Sequence, residues 1–220
     1  MKAFELIAND IPPLKTSDTA ERAQHWMSEL HVSQLPIVND QQLLGLITEE
    51  DLINSNKPKE PIGNHELSLI RPFVKNTDHI FEVMKLAAEQ KLSIIPVVDK
   101  DENYLGCISA KSLLHYFAQF GAIKDMGGII VLEMPLKEYA LSEIVQIVES
   151  NGALLLGVFT MLNSANSMLE VTLKLNKTQI DAIIAAFQRY DYLVKDSYQE
   201  PEYFEDLRDR FDGLMNYLNV

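Results

Sequence analysis

Two short stretches of the chain carry hydroxyl and acidic residues at a fixed spacing. The first is GLITEEDL (45–52), and the second, GCISAKSL (106–113), has a serine where the first has an acid. A hydroxyl followed three residues later by a carboxylate at a helix start forms a capping box. The same groups, with the exposed backbone N–H groups, could also hold a ribose diol and its phosphate. The sequence leaves both interpretations open for Thr48 and Asp51.

These stretches belong to an internal repeat. The segments SQLPIV and SIIPVV begin at Ser33 and Ser93, an offset of 60 residues (93 − 33). One inserted residue in the second copy then moves the offset to 61 (106 − 45), which aligns Gly45 with Gly106. An insertion between two apolar runs is typical of a turn of variable length. The repeat therefore predicts two structurally equivalent units.

We predict that each copy of the repeat folds as helix, strand, strand, helix. The first helix runs for about 12 residues and is capped by Asp18 in one copy and by Asp78 in the other. A polar turn separates the two apolar strands. One copy is too small to bury its strands alone, so we expect the two to pack sheet to sheet. The predicted strands are 35–38 and 43–48 in the first copy, and 95–98 and 104–109 in the second.

The pattern of strand, turn and hydroxyl motif resembles the CBS domain, which occurs as tandem pairs. The resemblance covers roughly residues 1–121, with repeats placed at 1–60 and 61–124. In that family the acid often contacts ribose hydroxyls, the preceding hydroxyl contacts phosphate, and the base packs near the strand proline. The resemblance thus implies a first nucleotide cleft formed by Thr48, Asp51, Leu35, Pro36 and Ile37.

The second repeat lacks the acid of the first. The resemblance implies a degenerate second cleft formed by Ile95, Pro96, Val97, Ser109 and Ser112. A carboxylate can accept from both ribose hydroxyls at once, whereas a neutral hydroxyl cannot. We therefore expect the second cleft to bind adenosine ligands more weakly, or not at all.

Basic residues that could neutralise a phosphate are few. The candidates are Arg71, Lys75 and Lys111. The alternative for each is an ordinary solvated surface charge.

The C-terminal half has a different pattern. Apolar runs at 129–135, 153–161, 168–175 and 192–195 predict strands, and helical periodicity at 139–151 and 178–190 predicts two helices. Strand, helix, strand, strand, helix, strand is the ferredoxin-like order. Residues 128–198 resemble an ACT domain, a module that binds amino acids or dimerises in regulated proteins. The order of two CBS units and one ACT-like unit is similar to that of the acetoin-utilisation family.

The loop after the first strand of this half lacks the glycine common in amino-acid-binding ACT domains. Close approach of the backbone to a ligand carboxylate is therefore not assured between Glu133 and Tyr139. Dimerisation is the role we expect, and an amino-acid site near Leu136 to Leu141 is a secondary hypothesis.

Residues 199–220 predict a C-terminal amphipathic helix with an acidic outer face. Packing on its own chain or on a sister subunit is one interpretation, and an unknown protein partner is the other. Its apolar stripe consists of Tyr203, Phe204, Leu207, Phe211, Leu214, Met215 and Leu218.

Composition narrows the classes of partner. The chain has 220 residues, 47% of them apolar and 23% charged, as in a folded globular protein. A net charge of −13 argues against nucleic acid and against anionic membranes as partners. The single cysteine, Cys107, permits no intrachain disulfide. With neither a signal peptide nor a transmembrane stretch in the sequence, we expect a cytoplasmic protein.

The sequence offers no catalytic constellation. Its five histidines are dispersed without metal-ligand spacing, and the GxGxxG, Walker A and GxSxG motifs are missing. We therefore expect no enzyme activity, no metal site and no required cofactor.

Together these features predict an α/β (α+β) fold with a CBS-domain pair, a ferredoxin-like ACT domain and a C-terminal helix. The expected function is that of a homodimeric regulatory sensor. Its CBS pair would bind AMP, ADP, ATP or S-adenosylmethionine, and its ACT-like domain would mediate dimerisation or readout. The alternative is a dimeric interaction scaffold that binds no nucleotide.

Overall fold

The computed structural model of the chain describes residues 1–8, 11–54, 57–65, 69–164 and 167–199. The chain divides into two compact units, Met1–Phe117 and Ala118–Val220. Helices and strands alternate through both units, so the predicted mixed α/β class is confirmed. The helix predicted over 199–220 lies outside the described residues, apart from Gln199.

The first unit contains both copies of the repeat. The elements are α1 (Ala20–Leu30), β1 (Gln34–Asn39), β2 (Gln42–Thr48) and α2 (Glu49–Asn54), then β3 (Val74–Lys75), α3 (Ile80–Glu89), β4 (Ile94–Val98), β5 (Tyr104–Ser109) and α4 (Ala110–Phe117). In the first copy β1 pairs with β2 antiparallel, and in the second copy β4 pairs with β5 in the same way. A short strand, β3, adds to β4 in parallel.

Pro36 occupies a position in the strand ladder where no N–H is needed. Pro36 lies opposite Leu46 on β2, and its carbonyl accepts from the N–H of Leu14 on the other side at 2.8 Å. The N–H of Val38 then donates to the carbonyl of Leu14, also at 2.8 Å. The ladder therefore bypasses the proline nitrogen, which has no hydrogen to give.

Segments ahead of the first helix of each copy cross to the other copy. The N–H of Ala8, ahead of α1, donates to the carbonyl of Cys107 on β5 at 3.1 Å. In the other direction, the carbonyl of Ile70 accepts from the N–H of Leu46 on β2 at 2.8 Å. The two copies therefore complete each other's sheets.

The two motif glycines make these crossings possible. A Cβ on Gly45 would lie 3.0 Å from the carbonyl oxygen of Ile70, and one on Gly106 would lie 2.4 Å from Cγ2 of Ile7. Gly106 also has φ +151, a conformation that L side chains rarely adopt. The glycine in each motif is thus explained by a close approach of the crossing segment.

One hydrophobic core serves both copies of the repeat, as predicted from the size of a single copy. Leu35, Ile37 and Ile47 of the first copy lie in the same cluster as Ile95, Cys107 and Ile108 of the second, all at most 1% exposed. Burial of this apolar surface is the main source of stability for the unit.

The predicted helix caps were wrong by one residue. Thr19 caps α1 by accepting from the N–H of Arg22, and Nδ1 of His79 accepts from the N–H of Phe81 at the start of α3. Asp18 and Asp78 instead close the turn before the helix, where each carboxylate accepts from the N–H three residues earlier, at 2.7 and 2.8 Å. An aspartate that closes a turn and one that caps a helix look alike in sequence.

The second unit has the predicted ferredoxin-like order. Its elements are α5 (Gly121–Lys124), β6 (Ile129–Pro135), α6 (Leu141–Ser150), β7 (Leu155–Asn163), β8 (Met168–Leu175), α7 (Asp181–Arg189) and β9 (Leu193–Tyr198). The four-stranded antiparallel sheet is ordered β7-β8-β6-β9, with helices α6 and α7 connecting the strands. The core is formed by residues of the sheet and of the two helices, among them Ile130, Leu132, Val171, Leu173 and Phe187.

None of the helices in the described ranges is long and apolar enough to cross a membrane.

Candidate functional site

Thr48 and Asp51 meet at the junction of β2 and α2. Both the N–H and the hydroxyl of Thr48 donate to Oδ2 of Asp51, at 2.9 and 2.8 Å. The N–H of Asp51 donates back to Oγ1 of Thr48 at 3.2 Å. This reciprocal pattern is a capping box, and both side chains are half-buried. Thr48 and Asp51 therefore form one compact polar group at the start of α2.

The start of α2 is strongly acidic. Glu49 and Glu50 are exposed and stand beside Asp51 in the first turn. The N-terminal end of a helix favours negative charge, which offsets part of the repulsion. Three carboxylates in one turn nevertheless disfavour the binding of a highly charged anion at this junction.

The apolar residues assigned to the first cleft lie next to this group along β1. Gln34 is opposite Thr48 across the strand pair, and Leu35, Pro36 and Ile37 follow it. The last three are buried, with Leu35 at 0% and Ile37 at 1% exposure. The side chains of Leu35 and Ile37 belong to the hydrophobic core of the unit.

The second junction, between β5 and α4, has the same geometry without the acid. The hydroxyls of Ser109 and Ser112 lie 2.7 Å apart, and the N–H of Ser112 donates to Oγ of Ser109 at 2.9 Å. Ser109 is 8% exposed. Ile95, Pro96 and Val97 are buried along β4, as their counterparts are along β1. A neutral hydroxyl therefore replaces the carboxylate while the helix cap is kept.

The three basic candidates lie in different places. Nε of Arg71 donates to the carbonyl of Leu43, and its guanidinium pairs with Glu102 at 2.9 Å. Leu43 is near the opposite end of β2 from Thr48. Lys75 is exposed on β3, opposite Val98 near the turn end of β4. The structure thus places both with the turns and away from the hydroxyl motifs.

Lys111 is the candidate that lies beside a motif. It is exposed in the first turn of α4, between Ser109 and Ser112. Its counterpart in the first copy is Glu50 (111 − 61). The two junctions therefore differ at two positions, because Lys111 replaces Glu50 and Ser112 replaces Asp51.

A polar contact between the two copies of the repeat was not predicted from the motifs. Ser93 donates from its N–H and its hydroxyl to Oε1 of Gln34, at 2.9 and 2.6 Å. Its oxygen accepts in turn from the N–H of Ser33 at 2.9 Å. The sequence contains one indication of this contact. Serine recurs at the equivalent positions 33 and 93, and the polar Gln34 occupies the position that the apolar Ile94 has in the second copy.

The second unit contains two adjacent cavities. One, of about 490 Å³, lies between α6 and α7, and the other, of about 620 Å³, is lined by the loop after β6. Glu143 and Tyr192 line both, and the Tyr192 hydroxyl donates to the Glu143 carboxylate at 3.2 Å. Burial, followed by this contact, raises the pKa of Tyr192 above its usual value. The larger cavity is lined by Lys137 to Ala140, within the Leu136–Leu141 stretch where the sequence suggested a secondary amino-acid site.

The described ranges contain no group of three or more histidine, cysteine, aspartate or glutamate side chains that could hold a metal ion.

Comparison with protein families identifies the N-terminal unit. Residues 3–56 and 69–119 match the family model of the CBS domain, one stretch for each copy of the repeat. This part of the chain is therefore a CBS-domain pair, as the motifs suggested. The match does not extend into residues 128–198. The ferredoxin-like topology of this region is seen in the structure, and its assignment as an ACT-like domain stays a prediction.

Individual relatives are distant. Inosine-5'-monophosphate dehydrogenase from Bacillus subtilis is 29% identical over 115 residues, which cover 50% of this chain and 23% of that enzyme. The chain spans only 23% to 36% of the length of such relatives.

Two solved structures are among those with similarity to part of this chain. A CBS domain pair/ACT domain protein from Thermotoga maritima has a TM-score of 0.48 at 23% identity, covering 54% of this chain and 98% of that one. CBSX2 in complex with AMP has a TM-score of 0.45 at 19% identity, covering 54% of this chain and 96% of that one.

Proposed function

We propose that this chain is a non-catalytic regulatory protein whose CBS pair binds an adenosine-containing ligand at the first motif. The ligand class comprises AMP, ADP, ATP and S-adenosylmethionine. The observation that carries the proposal is the Thr48–Asp51 group, in which a hydroxyl and a carboxylate lie 2.8 Å apart at a helix start of a CBS-domain pair.

The chemistry of this group suits a ribose. Asp51 already accepts from the N–H of Thr48, which keeps the carboxylate at the start of α2. A ribose diol would donate to the same carboxylate, and the Thr48 hydroxyl could then rotate from Asp51 toward a phosphate oxygen. The cap would persist through the two backbone contacts while the hydroxyl changes partner.

The second motif supports weaker binding. Ser109 and Ser112 already engage each other, and neither offers a charged acceptor. Lys111 adds a positive charge nearby, which favours phosphate but does not replace the ribose acceptor. One strong site for each chain follows from this difference.

The proposal includes a homodimer formed through the second unit. In the described part of that unit, β7 is an edge strand, and its stretch LLGVFTMLN carries no charged residue and no proline. Phe159 is 44% and Met161 71% exposed. Natural edge strands are usually protected by charges or proline, so a long apolar edge favours pairing with a second chain.

A second surface could contribute to a dimer. Ile53 on α2 and Leu114 on α4 occupy equivalent positions of the repeat and are 73% and 72% exposed. A large apolar side chain on each of two equivalent helices favours a partner with the same twofold arrangement.

The alternative function is a dimeric scaffold that binds no nucleotide. It is favoured by the capping box itself, because Thr48 and Asp51 satisfy each other without a ligand. Under this alternative the acid contributes only to the stability of α2.

Thermal unfolding in the presence of nucleotides distinguishes the two functions. A ligand at a hundred times its dissociation constant stabilises the folded state by about 2.7 kcal/mol. We expect at least one of the four ligands to stabilise the folded state in this way and so to raise Tm. The rise should be absent in Asp51→Ala and kept in Ser112→Ala, which removes the matching cap residue of the second motif. No rise with any ligand at millimolar concentration would leave the scaffold as the better account.

A further inference from the structure

The two repeats are joined by side-chain hydrogen bonds at the end of the strands where both motifs lie. We call Ser33, Gln34 and Ser93 the cross-repeat link. The N–H of Ser33 donates to Oγ of Ser93 at 2.9 Å, and the Ser93 hydroxyl donates to Oε1 of Gln34 at 2.6 Å. Oε1 of Gln34 also accepts from the N–H of Ser93 at 2.9 Å. Gln34 and Ser93 are half-buried, which limits competition from water.

The cross-repeat link contacts the first residue of both motif helices. The carbonyl of Ser33 accepts from the N–H of Glu49 at 3.1 Å, and Glu49 directly follows Thr48. In the second copy, the carbonyl of Ser93 accepts from the N–H of Ala110 at 2.9 Å, and Ala110 directly follows Ser109. A short series of hydrogen bonds therefore runs from one helix start to the other.

Gln34 makes this arrangement asymmetric. Ser33 and Ser93 are equivalent in the repeat, but the counterpart of Gln34 is Ile94, which is fully buried. Both hydrogen bonds that Ser93 donates end on Oε1 of Gln34. The orientation of the Ser93 hydroxyl, and so its contact with Ser33, depends on that one amide oxygen.

We infer that Gln34 is a positioning residue that couples the two helix starts, so that a change at Thr48 and Asp51 alters the cap of α4. A shift of Ser33 with the start of α2 must also move its partner Ser93, whose carbonyl holds the N–H of Ala110. The core holds the repeats together by non-directional packing, whereas the cross-repeat link fixes the relative position of two particular atoms. This coupling is a property of the chain itself and does not depend on which ligand binds.

Amide hydrogen exchange measured by NMR on the full chain tests the inference. Asp51→Ala removes the carboxylate of the first cap, and the observed amides are those of Ala110 and Ser112, referenced to Val83 in the first turn of α3. We expect Asp51→Ala to speed exchange at the start of α4 by about twofold or more. In a Gln34→Met background, which keeps side-chain length but removes the acceptor, Asp51→Ala should leave that exchange unchanged.

Two further variants separate coupling from general loosening. Gln34→Glu keeps an oxygen acceptor and should keep the response, while Gln24→Met changes an exposed glutamine on α1 and should leave it intact. An equal response to Asp51→Ala with and without the Gln34 acceptor overturns the inference, as does the lack of any response in the wild-type background. No nucleotide is added, so failure here is distinct from failure of the proposed function.

Discussion

Among single residues, Asp51 has two roles in the proposed function. Its carboxylate caps α2 through Thr48, and the proposal also makes it the acceptor for ribose. The second motif separates the two roles, because Ser109 and Ser112 form a cap of the same shape without a charge. The change from Asp to Ser is therefore the most informative difference between the copies.

Restoring the acid in the second motif should create a second site. In Ser112→Asp the carboxylate can take the place that Asp51 has beside Thr48, since the two junctions share their cap geometry. We expect the calorimetric stoichiometry to rise from one to two ligands for each chain, with Ser112→Ala staying at one. A stoichiometry of one in Ser112→Asp would show that the acid alone does not define the site.

The charges flanking Asp51 should select against phosphate-rich ligands. Two unit charges 8 Å apart in water repel each other by about 0.5 kcal/mol, so Glu49 and Glu50 should weaken ATP binding more than AMP binding. The double variant Glu49→Gln/Glu50→Gln should tighten ATP binding by about twofold to fivefold at low salt, and the gain should shrink at high salt. Competition binding measures both ligands, with Glu89→Gln on α3 as the control. An equal gain for AMP and ATP would contradict this role of the two acids.

Among helices and strands, the fold of the first unit depends on segments that cross between the repeats. The sequence predicted the strands, the turns between them and the shared core, because apolar runs and turn residues recur at a fixed offset. It could not show that Ile7 lies on Gly106, since the two residues are distant in sequence and form no periodic pattern. The helix caps were missed for a local reason, because aspartate is equally suited to the turn before a helix.

Adding a methyl group under a crossing segment should destabilise the first unit. In Gly106→Ala the new Cβ would lie 2.4 Å from Cγ2 of Ile7, and φ +151 is unfavourable for alanine. We expect a loss of about 1–3 kcal/mol in the free energy of unfolding, measured by urea titration. Part of this loss should be recovered in Gly106→Ala/Ile7→Ala, which removes the clashing side chain.

Gly121→Ala is the control for that substitution. Its Cβ would lie 3.1 Å from a carboxylate oxygen of Asp125, an exposed side chain that can move aside, and the position is helical. A loss in Gly121→Ala as large as that in Gly106→Ala would argue against the crossing segment as the cause.

For the molecule as a whole, the proposed function depends on a ligand favouring one arrangement of the chains over another. Tight binding alone changes nothing unless the two arrangements bind with different affinity. The CBS-domain pair was recognisable from sequence because its motif occurs twice, whereas the ferredoxin-like unit was recognisable only by the order of its elements. The exposed edge of β7 could not be predicted, because strand order in a sheet is a property of the folded chain.

Charge on the β7 edge should dissociate the proposed homodimer. Phe159→Lys/Met161→Lys places two like charges where two apolar edges would meet, and the dimer dissociation constant should rise by about tenfold or more. Sedimentation equilibrium measures this constant, with Ile53→Lys/Leu114→Lys as the matched change on the CBS pair. If only the second variant dissociates the dimer, the contact lies on α2 and α4 and the assignment to β7 is wrong.

Isothermal titration calorimetry of the wild-type chain against AMP, ADP, ATP and S-adenosylmethionine measures directly whether the first motif binds an adenosine ligand. For at least one of the four we expect saturable heat with one ligand for each chain, lost in Asp51→Ala and kept in Ser112→Ala. Silence from all four at millimolar concentration, or equal heat in Asp51→Ala, would contradict this expectation and leave Thr48 and Asp51 as a helix cap.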